Sequence, residues 1–230
     1  MHCYLRVAMR KITKFAVSAV ALAGIAHAEV ETSAYAGVHS KYIYRGSDLG
    51  DNLVDFGLDL AGSCDCGLDW YAGVWDASVE DADAEETDVF AGISKDLGFG
   101  AIDLGGIVYT YSDATKREAE GYIGLSTSVA GLDLGLTYSH GFDGAVDGTN
   151  WIEGTIGYGI ELAGQAIGLE LGAGSTNKDG GLGYYSATAS TDVALSEAIT
   201  LSPYVSYVQT GEEISGDDGF FGGASLSFSF

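Results

Sequence analysis

Two pairs of residues have the types that hydrolytic chemistry uses. Asp55 and Asp59 could form a glycosidase pair, whose carboxyl groups lie about 5 to 9.5 Å apart. Four positions along a strand span roughly 13 Å, which is too far for that reaction. Ser139 and His140 are adjacent, so on a strand they point to opposite faces. No G-x-S-x-G elbow is present either, and we predict that the protein is not an enzyme.

The C-x-C pair Cys64 and Cys66 lies in a predicted short turn. In an oxidising compartment the two thiols could join, although the ring that they would close is small. Free thiols or part of a metal site are the alternatives, but two thiolates with no further His or Cys nearby make a poor zinc site. We expect a local disulfide without a catalytic role, and no cofactor.

An acidic run extends from Glu80 to Glu86. Alternating carboxylates could hold calcium, yet the run lacks the glycine and the spacing of an EF-hand loop. We therefore expect a solvated outer loop. Divalent cations that bridge this loop to lipopolysaccharide are the alternative.

Composition limits the class of protein. The 230 residues suit one domain, and 47% hydrophobic residues are too many for a disordered acidic tail. The formal net charge of -23 repels nucleic acid, so we exclude that partner. Thirty-five glycines with one proline, Pro203, suit a long antiparallel sheet with acidic loops.

The N-terminus has the pattern of a secretory signal peptide. Four cations and no acid occupy residues 1–14, and an apolar run follows from Phe15 to Ile25. Ala26-His27-Ala28 is a typical cleavage site, and the run is shorter than the roughly 20 residues of a membrane-spanning helix. We expect residues 1–28 to be removed and residues 29–230 to form the folded domain, which then has six cations against 33 acids.

Alternation with a period of two runs through that domain, as expected of strands. Between residues 53 and 62 the apolar face holds Val54, Phe56, Leu58 and Leu60. About twelve strands are predicted, near 31–45, 53–62, 68–79, 87–96, 100–111, 121–129, 132–142, 151–161, 167–175, 182–194, 199–209 and 220–230. Most have the length of a tilted strand that crosses a bilayer.

The connections also alternate in character. One set is short (63–67, 97–99, 130–131, 162–166 and 195–198), and the other is longer and polar (46–52, 80–86, 112–120, 143–150, 176–181 and 210–219). Short periplasmic turns and longer outer loops are typical of outer-membrane barrels. We predict an all-β protein, a transmembrane antiparallel up-and-down barrel of about 12 strands. A soluble β-sandwich is the alternative.

Aromatic residues near the strand ends predict two interfacial girdles. The outer girdle would hold Tyr42, Tyr44, Tyr109, Tyr111, Tyr138 and Tyr207, and the inner one Trp70 and Phe230. The last strand alternates up to Phe230, and a terminal aromatic of this kind predicts recognition by the barrel assembly machinery. We assign Phe230 as the assembly signal.

The opposite strand face predicts the lining of a pore. It carries many glycines and the acids Asp55, Asp59, Asp88, Asp103, Asp133, Glu153, Glu161 and Glu170, with His39, Lys41 and Arg45 near the outer end of the first strand. Acids in a barrel interior need water or cationic partners, and only six cations remain to pair with them. We therefore predict an acidic, water-filled lumen.

The segment from Gly37 to Gly46 resembles the opening motif of the TorF family, a proteobacterial family of porin-like proteins. The family pattern reads Val-x-Ser-Asp-Tyr-x-x-Arg-Gly. Here Lys41 stands where the family usually has an acid, and Ile43 precedes Tyr44-Arg45. Residues 71–75 and 89–95 are similar to further stretches of the family. The resemblance implies a pore in the outer membrane and defines no substrate.

The sequence predicts an outer-membrane porin for passive diffusion of small solutes, with a preference for cations. The alternative is a non-conducting barrel that acts as an adhesin or as a structural element. Expected partners are outer-membrane lipid, lipopolysaccharide and the barrel assembly machinery. The localisation would be the outer membrane of a Gram-negative bacterium.

Overall fold

The computed structural model describes residues 30–80, 85–113, 116–178, 182–211 and 218–230. They form one antiparallel sheet whose ends meet. Its segments are β1 (Glu31–Tyr44), β2 (Ser47–Ser63), β3 (Asp69–Glu80), β4 (Glu86–Asp96), β5 (Ala101–Tyr111), β6 (Arg117–Val129), β7 (Leu132–Asp143), β8 (Asn150–Leu162), β9 (Gln165–Thr176), β10 (Leu182–Thr191), β11 (Val193–Ala194), β12 (Ile199–Thr210) and β13 (Gly219–Ser229).

The barrel has twelve strands, because β10 and β11 are two parts of one strand. Only Asp192 separates them, and both pair with β12. Each strand pairs with its neighbours in the chain, and β1 pairs with β13 to close the sheet, with Val38 opposite Ala224. Closure leaves no open sheet edge. The predicted fold class, an antiparallel up-and-down barrel, is confirmed.

Helix is almost absent from the part of the chain that the structure describes. It is limited there to one short 3-10 turn, Gly144–Val146. No helix among the described residues is long and apolar enough to span a membrane.

The two ends of the barrel differ in their connections. At one end, which we call the turn end, β6 is joined to β7 and β8 to β9 by two residues each. Ala163 and Gly164 have positive φ angles of 53° and 80°, as a two-residue hairpin of the primed type requires. At the opposite end, which we call the loop end, most connections are longer, as predicted.

One loop prediction is wrong. Residues 46–52 were expected to form an outer loop, but β2 already begins at Ser47. The connection between β1 and β2 is the two-residue turn Arg45-Gly46. Alternation is weak in this stretch because the hairpin leaves the barrel wall there.

Apolar side chains cover the outside of the barrel. On β2, Phe56 is 52% exposed whereas its neighbour Asp55 is 5% exposed. The same band includes Val38, Val54, Leu58, Val89, Ile93, Leu104, Ile123, Leu125, Leu136, Ile152, Ile156 and Leu171. This arrangement is the reverse of a water-soluble barrel, and it matches the apolar belt of a barrel in lipid. The soluble sandwich is therefore wrong.

On β3 the sequence left the inward face undecided, and the structure resolves it. Tyr71 and Trp75 are buried and point inward. Trp75 Nε1 donates a hydrogen bond to Asp55 Oδ2 at 2.9 Å, and Tyr71 OH donates to Asp103 Oδ1 at 2.6 Å. Hydrogen-bond acceptors in the interior thus explain why Tyr71 and Trp75, and not the residues that alternate with them, point inward.

Several predictions concern turns and termini. Cys64 and Cys66 are joined by a disulfide in the turn between β2 and β3.

The expected signal peptide, residues 1–28, and residues 81–84 of the acidic run lie outside the described residues. Phe230 is exposed, and its backbone N–H donates to Thr32 O at 3.0 Å. Its role as an assembly signal stays a prediction.

Adjacent residues on β8 provide a test of which face meets lipid. Ile156 points outward, and Thr155 lines the interior. We expect Ile156→Arg to lower the free energy of unfolding in lipid vesicles by about 2–4 kcal/mol, as arginine does near a bilayer midplane. Thr155→Arg places the same side chain in the lumen and is expected to cost much less. Equal losses, measured by urea titration, would contradict this assignment of faces.

Candidate functional site

The tip of the β1–β2 hairpin leaves the barrel wall. β1 keeps register with β13 only from Ser33 to His39, and β2 pairs continuously with β3 only from Val54 onward. Between these limits the two strands pair mainly with each other, and only Asp51 keeps a partner on β3. We call residues 41–51 the inner hairpin, because its tip contacts the inside of the opposite wall.

Backbone irregularities accompany this bend. The pairing of β1 with β2 shifts register between Tyr42 and Ile43, and such bulges bend a strand. Asn52 has a φ of 52°, a left-handed conformation that asparagine tolerates better than most residues. At the tip, Arg45 and Gly46 have φ angles of 49° and 84°. A Cβ on Gly46 would lie 2.7 Å from Cβ of Tyr184, so a side chain there would collide with β10.

Arg45 holds the tip of the inner hairpin against the far wall. Its Nη1 and Nη2 donate to the two carboxylate oxygens of Glu120 on β6, at 2.8 and 2.9 Å. Its Nε donates to Glu153 Oε2 on β8 at 3.1 Å. Three directed bonds to two carboxylates use the planar fork of the guanidinium group. The side chains of all three residues are buried.

Aromatic residues complete the surroundings of Arg45. The guanidinium carbon lies 4.9 Å from the ring centre of Tyr44 and 5.1 Å from that of Trp151, within the range of cation–π attraction. Tyr184 OH donates to the second oxygen of Glu153 at 2.6 Å. Tyr109 OH donates to Glu120 Oε2 at 3.3 Å. The buried charges are thus paired and hydrogen-bonded, as a low-dielectric interior requires.

A second set of contacts fills the space between the inner hairpin and strands β3 and β4. Tyr42 OH donates to Glu86 Oε2 at 2.9 Å, and the ring of Tyr42 packs edge-on against Trp75 at 5.6 Å between centroids. Next to them, His39 Nε2 lies 3.2 Å from Asp55 Oδ1. Side chains therefore fill this part of the lumen near the loop end.

The predicted outer girdle needs correction. Tyr42, Tyr44, Tyr109 and Tyr111 do not anchor the barrel in an interface, because they point into the lumen and pack there. Tyr138 is exposed on the outside. These tyrosines lie near strand ends because the packed part of the lumen, which their rings fill, is at the loop end of the barrel.

Below the inner hairpin lies a cavity of about 990 Å³. It extends from Arg45 and Glu120 to the turn end, where residues 98–101 line it. The two halves of its wall differ. β3 to β6 contribute Tyr71, Trp75, Phe90, Tyr109 and Tyr122, whereas β7 to β10 contribute mainly small residues such as Gly135, Thr137, Ser139, Thr155, Gly157 and Gly168.

The aromatic half is flat because tyrosines lie over glycines. Tyr71, Gly92, Gly105 and Tyr122 occupy one row across β3 to β6. A Cβ on Gly92 would lie 2.3 Å from the ring of Tyr71, and one on Gly105 would lie 2.4 Å from that of Tyr122. The two hydroxyl groups meet in a hydrogen bond. Glycine is required here so that the rings can lie along the wall.

The cavity lining is strongly acidic. Among the described residues that line it, eight are acids and two are bases. The acids are Asp69, Asp88, Asp96, Asp103, Glu120, Asp133, Glu170 and Asp192. One base, Arg45, is already bound to Glu120 and Glu153, and the other, Lys95, is exposed at the end of β4.

The structure brings part of the predicted pore lining together. Asp103, Asp133, Glu170 and Arg45 all line the cavity. Ser128 Oγ donates to Asp133 Oδ1 at 2.5 Å. Whether these residues contact a moving solute stays a prediction.

The other predicted lining residues lie elsewhere. Asp55, His39 and Glu153 are buried in the packed region above the cavity, and Asp59 points inward from β2. Lys41 does not face the cavity, since it forms ion pairs with Asp48 and Asp51 within the inner hairpin. Glu161 is exposed near the turn end of β8 and is not among the residues that line the cavity.

Two important residues were not singled out from the sequence. Glu120 binds Arg45. Glu118 and Glu120 alternate at the start of β6, and this spacing could have indicated that both face the lumen. Tyr122 was missed because its partner across the row, Tyr71, lies 51 residues away. Within the described ranges, no three His, Cys, Asp or Glu side chains are placed to hold a metal ion.

Comparison with known proteins identifies a family. Residues 23–223 match the family model described as "Bacterial protein of unknown function (Gcw_chp)". The chain belongs to the Gcw_chp family. No curated protein is significantly similar to it, and these comparisons leave the narrower resemblance to the TorF family as a prediction.

Solved structures similar to this Gcw_chp protein share its fold. The KdgM porin is 14% identical with a TM-score of 0.53, covering 87% of this chain and 99% of its own; it has also been solved in complex with disordered oligogalacturonate. The NanC porin is 13% identical with a TM-score of 0.56, covering 86% and 100%.

An outer membrane channel from Pseudomonas putida F1 is 11% identical with a TM-score of 0.54, covering 90% and 97%. At these identities the likeness establishes the fold alone. The Gcw_chp protein therefore has a porin-like barrel.

The contacts of Arg45 lead to a stability prediction. We expect Arg45→Ala to lower the free energy of unfolding by about 3–5 kcal/mol, because it leaves two buried carboxylates without their cation. Arg117→Ala is the matched control. Arg117 also pairs with a carboxylate, that of Asp143 at 2.6 Å, but its side chain is 65% exposed where that of Arg45 is 5%. The control should change little, and similar losses in urea titrations would show that the Arg45 contacts do not hold the hairpin.

Proposed function

We propose that this Gcw_chp protein is an outer-membrane porin through which small solutes diffuse passively, with a preference for cations. The observation that carries the proposal is the acidic cavity inside a barrel with an apolar outer belt. Carboxylates around a water-filled passage raise the local concentration of cations and repel anions. In this proposal the cavity forms the half of the passage that leads to the turn end.

The proposal differs from what the KdgM ligand would suggest. Oligogalacturonate carries carboxylates, and the present cavity has eight acids against two bases. Like charges in a confined space of low dielectric repel strongly. We therefore propose that acidic saccharides are excluded, although the barrels share a fold.

The inner hairpin supports a limit on conductance. Arg45, Glu120, Glu153 and Tyr184 are all buried at its level, so a solute meets a packed region between the cavity and the loop end. Passage requires a path around the hairpin or its displacement. In this proposal, hydrated ions and small molecules pass and larger solutes do not.

The same observation favours the alternative function, a non-conducting outer-membrane barrel with a structural or adhesin role. A permanently seated hairpin would keep the cavity closed at the loop end. Both versions share four further proposals. These are the outer-membrane location, contacts with lipopolysaccharide, divalent cations at the acidic run from Glu80 to Glu86, and recognition of Phe230 by the assembly machinery.

Ion selectivity tests the proposed porin. In planar bilayers with a salt gradient, the reversal potential of the native protein should indicate cation preference. The variant Asp103→Asn, Asp133→Asn, Glu170→Gln should be less selective, because it removes three charges from the cavity wall. Raising salt to 1 M should also weaken selectivity, since the Debye length falls to about 3 Å.

The matched control for this test removes three exposed charges at the loop end, with Asp113→Asn, Asp147→Asn and Asp218→Asn. It should keep the native reversal potential. Anion preference in the native protein, or an equal loss in both variants, would contradict the acidic passage. Absence of any channel in correctly folded protein would favour the non-conducting alternative.

The hairpin makes a separate prediction about conductance. Arg45→Ala removes the three hydrogen bonds that hold the tip to β6 and β8, so the hairpin should leave the lumen more often. Single-channel conductance, or the frequency of openings, should rise relative to the native protein. Arg117→Ala should leave both quantities unchanged. Unaltered conductance in Arg45→Ala would mean that the hairpin does not limit the passage.

A further inference from the structure

The carboxylates that receive Arg45 are held in place by the barrel wall itself. Glu120 on β6 and Glu153 on β8 present three oxygens that accept hydrogen bonds from the guanidinium group, and their side chains are 2% and 7% exposed. Tyr109 OH on β5 donates to Glu120, and Tyr184 OH on β10 donates to Glu153. Four strands of the wall therefore build a receptor whose carboxylates are oriented by groups outside the hairpin.

An aromatic face in the same wall adds a preference for a planar cation. The ring centre of Trp151 lies 5.1 Å from the guanidinium carbon of Arg45. Tyr184 packs against Trp151 at 6.4 Å between ring centroids. A guanidinium group stacks on an aromatic face while its N–H groups donate in the plane of the fork, whereas an ammonium group has neither the plane nor the fork. The site therefore fits a guanidinium group better than other organic cations.

The group that fills this site comes from a segment outside the wall. The inner hairpin pairs mainly with itself, and Lys41 forms its ion pairs with Asp48 and Asp51 inside the hairpin. Arg45 at its tip is thus a ligand on a tether. A tethered group competes with a free ligand through its effective concentration, so enough free ligand of the same chemistry displaces it.

A free ligand has a route to the site through the cavity. Arg45, Tyr109 and Glu120 are among the residues that line the cavity, which extends from them to the turn end. The acidic lining of the cavity raises the local concentration of cations. A small organic cation that enters there arrives beside the ion pair of Arg45 and Glu120.

We propose that the far wall is a binding site for the guanidinium group of a small organic solute, and that Arg45 is a tethered competitor for this site. The guanidinium group of the solute replaces that of Arg45 on Glu120 and Glu153 and stacks on Trp151. The tip of the hairpin then loses its attachment to β6 and β8. The binding site does not depend on the proposed porin, but release of the hairpin as a control of the passage rests on that proposed function.

Two monovalent probes test the chemistry of the site. Methylguanidinium and methylammonium each carry one charge and one methyl group, but only methylguanidinium has the planar fork. Binding to the folded protein in detergent is measured by isothermal titration calorimetry at millimolar concentrations, far below those at which guanidinium salts denature proteins. In Arg45→Ala, which empties the site, we expect methylguanidinium to bind at least tenfold more tightly than methylammonium. Equal affinities of the two probes would overturn the proposal.

Comparison with the native protein tests the competition. The native protein should bind methylguanidinium at least tenfold more weakly than Arg45→Ala does, because the tethered group occupies the site. Arg117→Ala is the matched control: it also frees a carboxylate, that of Asp143, but at an exposed position, and it should bind as the native protein does. Equal binding by the native protein and Arg45→Ala would show that methylguanidinium binds elsewhere and would refute the site.

Two further variants locate the site. Adding Glu120→Gln to Arg45→Ala removes the bidentate acceptor and should weaken methylguanidinium binding at least tenfold, and an unchanged affinity would exclude the far wall. Arg45→Lys keeps the test decisive if Arg45→Ala does not fold. It leaves a cation at the tip without the fork, so methylguanidinium should bind it more tightly than the native protein. Binding no tighter than that of the native protein would contradict the competition.

Conductance recorded on the same preparations separates this site from the proposed function. Binding of methylguanidinium without any channel would leave the site standing and remove the porin. A cation-selective channel whose Arg45→Ala variant shows no preference for methylguanidinium would keep the porin and refute the site. Where both stand, methylguanidinium should raise the frequency of openings of the native channel and methylammonium should not. Unchanged openings would overturn the release of the hairpin.

Discussion

The ion pair between Arg45 and Glu120 determines how the loop-end half of the lumen is organised. A guanidinium group cannot be buried alone, so the hairpin that carries Arg45 can enter the barrel only where carboxylates receive it. Glu120 and Glu153 meet this need from two strands on the far side. The register shift in β1 and the left-handed conformations near the tip follow from the same requirement. The hairpin and the far wall therefore depend on each other.

Below the hairpin, flat aromatic rings and small side chains keep the lumen open. Two rings lie flat on the wall because Gly92 and Gly105 leave room beneath them. With any larger residue at these glycines, Tyr71 and Tyr122 would have to project into the cavity. The wall from β7 to β10 remains open by another means, since its inward residues are mostly small. One half is thus lined by aromatic faces and the other by small polar groups.

Much of this fold could be predicted from alternation alone. A strand that places Phe56 outward must place Asp55 inward, so the faces of β2 followed directly from the sequence. Alternation cannot reveal where a strand leaves the wall. Tyr42 and Tyr44 occupy strand-end positions whether they face a lipid interface or a packed lumen, and the sequence offers the same pattern for both.

The inner hairpin has local signals in the sequence, but the same signals fit an irregular loop. Arg45-Gly46 suits a tight turn because glycine adopts positive φ readily, and Gly50 and Asn52 mark the bend on the returning strand. Residues of these types also fill loops, so the sequence alone does not distinguish the hairpin from a loop. The partners of Arg45 could not be identified, because Glu120 and Glu153 lie 75 and 108 residues away. Only the closed barrel brings them together.

The positions of the six lysines and arginines in the described part of the chain explain why the cavity keeps its negative charge. Lys116, Arg117 and Lys178 lie at the loop end, and Lys41 pairs with acids of its own hairpin. Arg45 reaches the cavity but is neutralised by Glu120 and Glu153. Lys95 alone remains near the turn end, exposed to solvent. Folding the hairpin inward therefore places at the boundary of the cavity a cation that its own carboxylate partners already neutralise, while Asp103 and Asp133 on the cavity wall accept hydrogen bonds from the uncharged hydroxyl groups of Tyr71 and Ser128.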